Sequence, residues 1–132
     1  MIEFTAPDGS KVSVDGKRVV RARRTLDGER GNENADAQSR IDWVEMQLVK
    51  EPIDAVSARI KAELPEFTAL TTKDRSRIWF NAKKVVGPLR ITDQQRNNGY
   101  RSSIKLMGYR QYVIETPDQV REILAAAGGD PL

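Results

Sequence analysis

Polar and apolar side chains alternate from the beginning of the chain. In "IEFTA" (Ile2–Ala6) apolar residues recur at every second position, the period of a half-buried β-strand, and "VSVDGKRVV" (Val12–Val20) has alternation around Asp15-Gly16. This predicts strands at Ile2–Ala6, on both sides of Asp15-Gly16, at Arg40–Val44 and at Met46–Lys50. Asp15-Gly16 has the composition of a two-residue hairpin turn, because both residues tolerate positive φ. The period then lengthens. Ile53, Val56, Ile60 and Leu64 fall on one helical stripe, with Pro52 at its start and Pro65 as its stop.

The same succession returns in the second half. Strands are expected at Thr68–Thr72, around Asn81-Ala82, at Ser103–Met107 and at Arg110–Glu115, with Gly108 turning the last pair. A helix follows, opened by the capping box Thr116-Pro117-Asp118-Gln119 and striped by Val120, Ile123, Leu124 and Ala127. Sliding Met1–Thr25 by 66 positions onto Phe67–Ile91 aligns Thr5/Thr71, Asp8/Asp74, Ser10/Ser76, Lys17/Lys83, Val19/Val85, Val20/Val86 and Arg24/Arg90. Seven identities in 25 exceed the one or two expected at ~6% per position, which points to internal duplication. The expected fold is α+β: two tandem repeats, each an antiparallel β-meander of about five short strands closed by a C-terminal helix, packed as a pseudo-symmetric pair. Repeat 1 is placed at residues 1–63, repeat 2 at 67–128, and a tail at 129–132. Long polar loops, Leu26–Ser39 and Thr92–Ser102, fall between the third and fourth strands of each repeat.

The segment "SSIKLMGYRQYVIETPDQVREIL" resembles the small FlbD-type proteins encoded in bacterial flagellar operons. The resemblance rests on the strand–Gly–strand step and on Val113, Glu115, Thr116, Gln119 and Val120, with Val49, Glu51 and Val56 as the repeat 1 counterparts. It covers each half separately. It implies a noncatalytic accessory protein, and a flagellar role as one functional expectation.

Composition narrows the chemistry. Hydrophobic residues make up 39% and charged residues 31%, with 22 Lys and Arg against 19 Asp and Glu, a net charge of +3. This balance permits an anionic partner without demanding one. No apolar run approaches the ~18 residues of a membrane span, and no signal-peptide pattern follows Met1, so the expected location is the cytoplasm. The chain has no cysteine and no histidine, which removes thiolate zinc sites, thiol nucleophiles and the usual general base. Nucleotide-binding, zinc-protease and hydrolase motifs are absent. The expectation is a protein that is not an enzyme and uses no cofactor or metal.

Where the repeats differ, partner sites are expected. If Asp15-Gly16 makes a two-residue hairpin, Arg21 and Arg23 continue the face of Val12, Val14 and Val19, where repeat 2 has Gly87 and Leu89. Arginines there imply either a bulge or a wet, basic end, and Lys17, Arg21, Arg23 and Arg24 form a candidate anion or acidic-partner site. A second candidate is the loop Arg96, Asn97, Asn98, Tyr100 and Arg101, where Asn and Gly make a mobile turn and the flanking Arg and Tyr suit a phosphate and a stacked base; the plainer alternative is a solvated hairpin tip. Trp79 faces away from Phe80 and is a candidate interface residue. The first functional expectation is protein binding or self-association. Nucleic-acid binding through the basic strand and loop is the alternative, without membrane insertion.

Overall fold

A computed structural model describes all residues from Met1 to Leu132. The chain forms two compact units, Met1–Pro65 and Glu66–Leu132. Both are α+β with antiparallel strand pairing.

In the first unit, β1 (Ile2–Thr5) and β2 (Lys11–Val14) form a two-stranded sheet, with Ile2 opposite Val14 and Phe4 opposite Val12. A one-turn 3-10 helix, Gly16–Arg18, leads to β3 (Arg21–Arg24). Then come a short helix α1 (Asp27–Arg30), β4 (Ser39–Asp42), β5 (Met46–Val49) and the long helix α2 (Ile53–Glu63). β4 lies between β3 and β5. Ala22, Ile41 and Val49 face inward and are fully buried, together with Phe4, Val14, Val19, Val56 and Ile60. Helix α2 packs its buried side on β3 and on the 3-10 turn.

In the second unit the elements follow in the same order. They are β6 (Phe67–Thr71), β7 (Arg77–Asn81), a 3-10 turn Ala82–Lys84, β8 (Val85–Leu89), α3 (Asp93–Asn97), β9 (Ser102–Leu106), β10 (Tyr109–Val113) and α4 (Pro117–Ala126). β6 pairs with β7, and β9 lies between β8 and β10. Leu70, Phe80, Ile104, Val113, Val120 and Leu124 are buried, and α4 packs on β8 and β6. Thr116 and Gln119 close the expected capping box at α4, at 3.2 and 2.9 Å. The last residues are tied down. The Leu132 N–H donates to the Gly87 carbonyl, and Arg121 Nε donates to the Leu132 carbonyl.

The continuous meander expected in each repeat is interrupted. β2 pairs with β1 and β3 pairs with β4, so Asp15-Gly16 does not join a hairpin. The Asp15 side chain instead accepts the Lys17 N–H at 3.1 Å and caps the 3-10 turn, as Asn81 does for the Lys83 N–H at 2.9 Å. Gly16 is needed for space. A Cβ there would lie 2.9 Å from Ile2 Cδ1 and 3.0 Å from Glu63 Cβ. Neither Gly16 nor Ala82 has positive φ, so Ala82, buried at the matching place in the second unit, fits there although alanine resists a positive-φ turn. The 3-10 turn also changes the phase of the following strand. Val19 and Ala22 are buried, three positions apart, so Arg21 and Arg23 leave the core face that strict alternation gave them.

Candidate functional site

Most residues that match between the two units serve the scaffold. The Asp8 carboxylate accepts the Ser10 N–H at 2.8 Å, and Asp74 accepts the Ser76 N–H at 3.0 Å, closing equivalent turns. The Glu51 carboxylate grips the Thr5 N–H at 3.0 and 3.1 Å, and Glu115 grips the Thr71 N–H at 2.9 and 3.1 Å. Burial disfavours the Glu51 charge, but the Thr5 donors outweigh it and hold its pKa below the ordinary value. These glutamates anchor the end of the first strand to the start of the closing helix. Partner chemistry is therefore to be sought where the units diverge.

They diverge on one face of the strand sets β3–β4–β5 and β8–β9–β10. In the first unit the face opposite the core carries Arg21, Arg23, Arg40 and Asp42, and α1 lays Glu29 against it. Register places Arg21 opposite Asp42 and Arg23 opposite Arg40. The charges join end to end: Arg21 Nε to Asp42 at 2.8 Å, Arg40 Nε to Asp42 at 3.0 Å, Arg40 Nη1 to Glu29 at 2.6 Å, and Arg23 to both Glu29 oxygens at 2.8 Å. The Asp42 side chain is only 4% exposed, and Arg21 and Arg23 are 15% and 13% exposed. Arg23, with help from the Leu26 N–H and Arg40, outweighs burial and holds the Glu29 carboxyl at about 2. Neither alternative raised for these arginines holds: β3 and β4 pair in regular register, and the guanidinium groups are spent on internal carboxylates.

In the second unit the irregularity lies in β8. Val86 stands opposite Lys105 and Leu89 opposite Ser103, so the strand carries an extra residue between them. Gly87 turns inward, where a Cβ would come within 2.7 Å of Ile104 Cγ2. Thus Val86, not Gly87, is the spatial counterpart of Arg21, and Leu89 leaves the core face predicted for it. Register assembles two rows on the face opposite the core: Val86, Lys105 and Arg110, then Leu89, Ser103 and Tyr112. Arg101 continues the same side of β9 and is exposed, as are Lys105 and Arg110. Arg110 reaches across β9 to donate to the Arg90 carbonyl at 2.8 Å. Tyr100 packs on Tyr112 with ring centroids 5.5 Å apart and planes tilted by 39°.

No acidic residue occurs in β8, β9 or β10. Residues 83–114 hold seven Lys and Arg against one acid, Asp93, which pairs with Arg96 at 2.9 Å. The first unit has eleven basic and twelve acidic residues, a net −1; the second has eleven and seven, a net +4. The excess positive charge of the chain resides in the second unit.

The other expected site residues disperse. Lys17 is exposed on its 3-10 turn, and Arg24 is exposed at the end of β3. Arg96 and Asn97 lie on α3 and Asn98 caps it, so this loop is a helical turn rather than a hairpin tip. Tyr100 and Arg101 of that group do reach the basic face. Trp79 stacks on Phe67 within its own unit, 5.7 Å between centroids. Sequence reasoning missed Lys105, Arg110 and Tyr112. Their common face depends on strand register; the available signal was the absence of acids over residues 94–114.

No three carboxylates gather as a metal site, and no helix is long and apolar enough to cross a membrane. A surface depression of about 410 Å³, lined by Arg30, Ala35, Asp36, Ala37, Gln38 and Lys50, brings together no acid–base or nucleophilic set. No protein-family model, curated protein or solved structure matches this chain.

Proposed function

We propose that this chain is a noncatalytic accessory protein of the cytoplasm, made of two copies of one small unit, that binds an anionic macromolecular partner through its second unit. The observation that supports this reading is the acid-free face of β8, β9 and β10, with Lys105, Arg110 and Arg101 exposed and nearby acids engaged elsewhere. The matching face of the first unit contains its own counter-charges and has little affinity to offer. The duplication thus supplies one closed copy and one open copy.

Heparin and poly-glutamate, titrated by calorimetry at low salt, test this. Binding is expected, with loss of roughly tenfold or more in affinity for Lys105→Glu with Arg110→Glu, because charge reversal replaces attraction by repulsion. Undiminished binding by that variant, or none by the native protein, overturns the reading.

A second reading, self-association or protein capture, rests on different residues. Corresponding hairpin ends expose large apolar side chains: Val44 at 54% and Met46 at 50% in the first unit, Met107 at 41% and Tyr109 at 77% in the second. Sedimentation of the native chain against Met46→Lys with Tyr109→Lys tests it. A monomer in both cases removes self-association. The flagellar role rests on the sequence resemblance alone.

A further inference from the structure

We infer that the basic face of the second unit binds single-stranded nucleic acid, with a base stacked on the Tyr100–Tyr112 pair and phosphates held by Lys105, Arg110 and Arg101. The inference rests on the reading that this face takes an anionic partner, and it names which. Along β9 the side chains of one face run Arg101, Ser103, Lys105. Successive rows are ~7 Å apart, so cations flank the tyrosine row on both sides, at a spacing comparable to the backbone of one extended nucleotide.

Both tyrosines are partly exposed, and Ser103 beneath them is buried, so an incoming base would meet aromatic and apolar surface rather than an open polar strand. Leu89 and Val86 extend that apolar floor to the opposite edge. An acidic peptide would use the cations but leave the tyrosines idle. A duplex needs an element that enters a groove, and a three-stranded face ~10 Å wide presents none. A splayed single strand uses both features, stacking bases on the rings and pairing its phosphates with the rim.

The test is fluorescence anisotropy with four labelled probes: a mixed-sequence single-stranded ten-mer as DNA and as RNA, an abasic ten-mer with the same phosphates, and poly-glutamate. The ten-mers are expected to bind roughly tenfold more tightly than the abasic chain. Three phosphate contacts predict a log–log salt slope of about −2. Tyr112→Leu should erase the preference for bases without weakening poly-glutamate binding, and Tyr112→Phe should keep it, because stacking does not need the hydroxyl. A circular-dichroism melt verifies that each variant is folded; if Tyr112→Leu is not, Tyr100→Leu takes its place. Equal affinity for base-bearing and abasic chains, lost together in Lys105→Glu with Arg110→Glu, overturns the nucleic-acid inference and leaves the anionic-partner reading standing. Failure of all four probes to bind overturns both.

Discussion

The second faces of β3–β4–β5 and β8–β9–β10 start from the same strand order and arrive at opposite electrostatic solutions. In the first unit three arginines meet two carboxylates in a chain of close ion pairs, and the most buried member, Asp42, is held by Arg21 and Arg40 together. In the second, Lys105 stands in the register position of Asp42, Val86 in that of Arg21, and Tyr112 in the row of Ser103 and Leu89. One substitution of sign, Asp to Lys, would by itself leave buried arginines facing a cation. In the second unit Val86, Leu89 and Ser103 stand where those three arginines would be, and the face is open. Paired charges out of water contribute to a unit's integrity; unpaired charges in water contribute to what it can bind.

The largest expected effect tests the closed face. Asp42→Ala leaves Arg21 and Arg40 without their shared carboxylate in a poorly solvated place, and should destabilise the protein by ~3 kcal/mol. Urea unfolding measures it, and a loss no greater than that of a surface substitution would show the network to be ornamental. Next, Gly87→Ala drives a methyl into Ile104 and should cost ~2 kcal/mol through overpacking. Gly28→Ala, with nothing within 4 Å of its added Cβ, is the control and should be near neutral.

Acidification separates the faces by another route. The Glu29 pKa is lowered from 4.5 to about 2, so the folded state binds this proton more weakly than the unfolded chain. Its contribution is complete above about pH 4.5 and fades as the pH falls towards 2. Because the group keeps some exposure, about 1–2 kcal/mol of that contribution is expected. Urea midpoints at pH 6 and pH 3 should therefore differ less in Glu29→Gln than in the native protein; identical differences would remove Glu29 from the linkage. The smallest stability effect belongs to the open face. Lys105→Ala with Arg110→Ala should change stability by less than ~0.5 kcal/mol, since neither side chain has an acidic partner. A loss comparable to that of Asp42→Ala would make the second face structural and erase the contrast.

Local rules made much of the scaffold legible. The helical stripe of Ile53, Val56, Ile60 and Leu64, the capping box at Thr116 and the turn at Gly108 each depend on residues within a few positions of one another, and the structure has them. Asp15-Gly16 shows the limit of such rules. The same dipeptide suits a hairpin and a capped 3-10 turn, and the choice fell to packing, because Gly16 lies against Ile2 and Glu63, far along the chain. The phase of β3 followed from that choice, and with it the side on which Arg21 and Arg23 emerge.

The candidate site was legible only in fragments. Tyr100 and Arg101 stood out as a basic, aromatic loop, whereas Lys105, Arg110 and Tyr112 looked like ordinary strand residues. What brings them together is the register of β9 against β10 and the extra residue in β8, neither of which leaves a local sequence mark. The pairing of Arg23 with Glu29 and of Arg21 with Asp42 is likewise a property of strands brought side by side. Periodicity and capping act over one turn or one pleat, so the sequence by itself determined the main strands, the two long helices and their order, but not the short helices α1 and α3 or the 3-10 turns. Which charges meet a counter-charge and which face water depends on contacts between distant segments, and only the tertiary structure decided that.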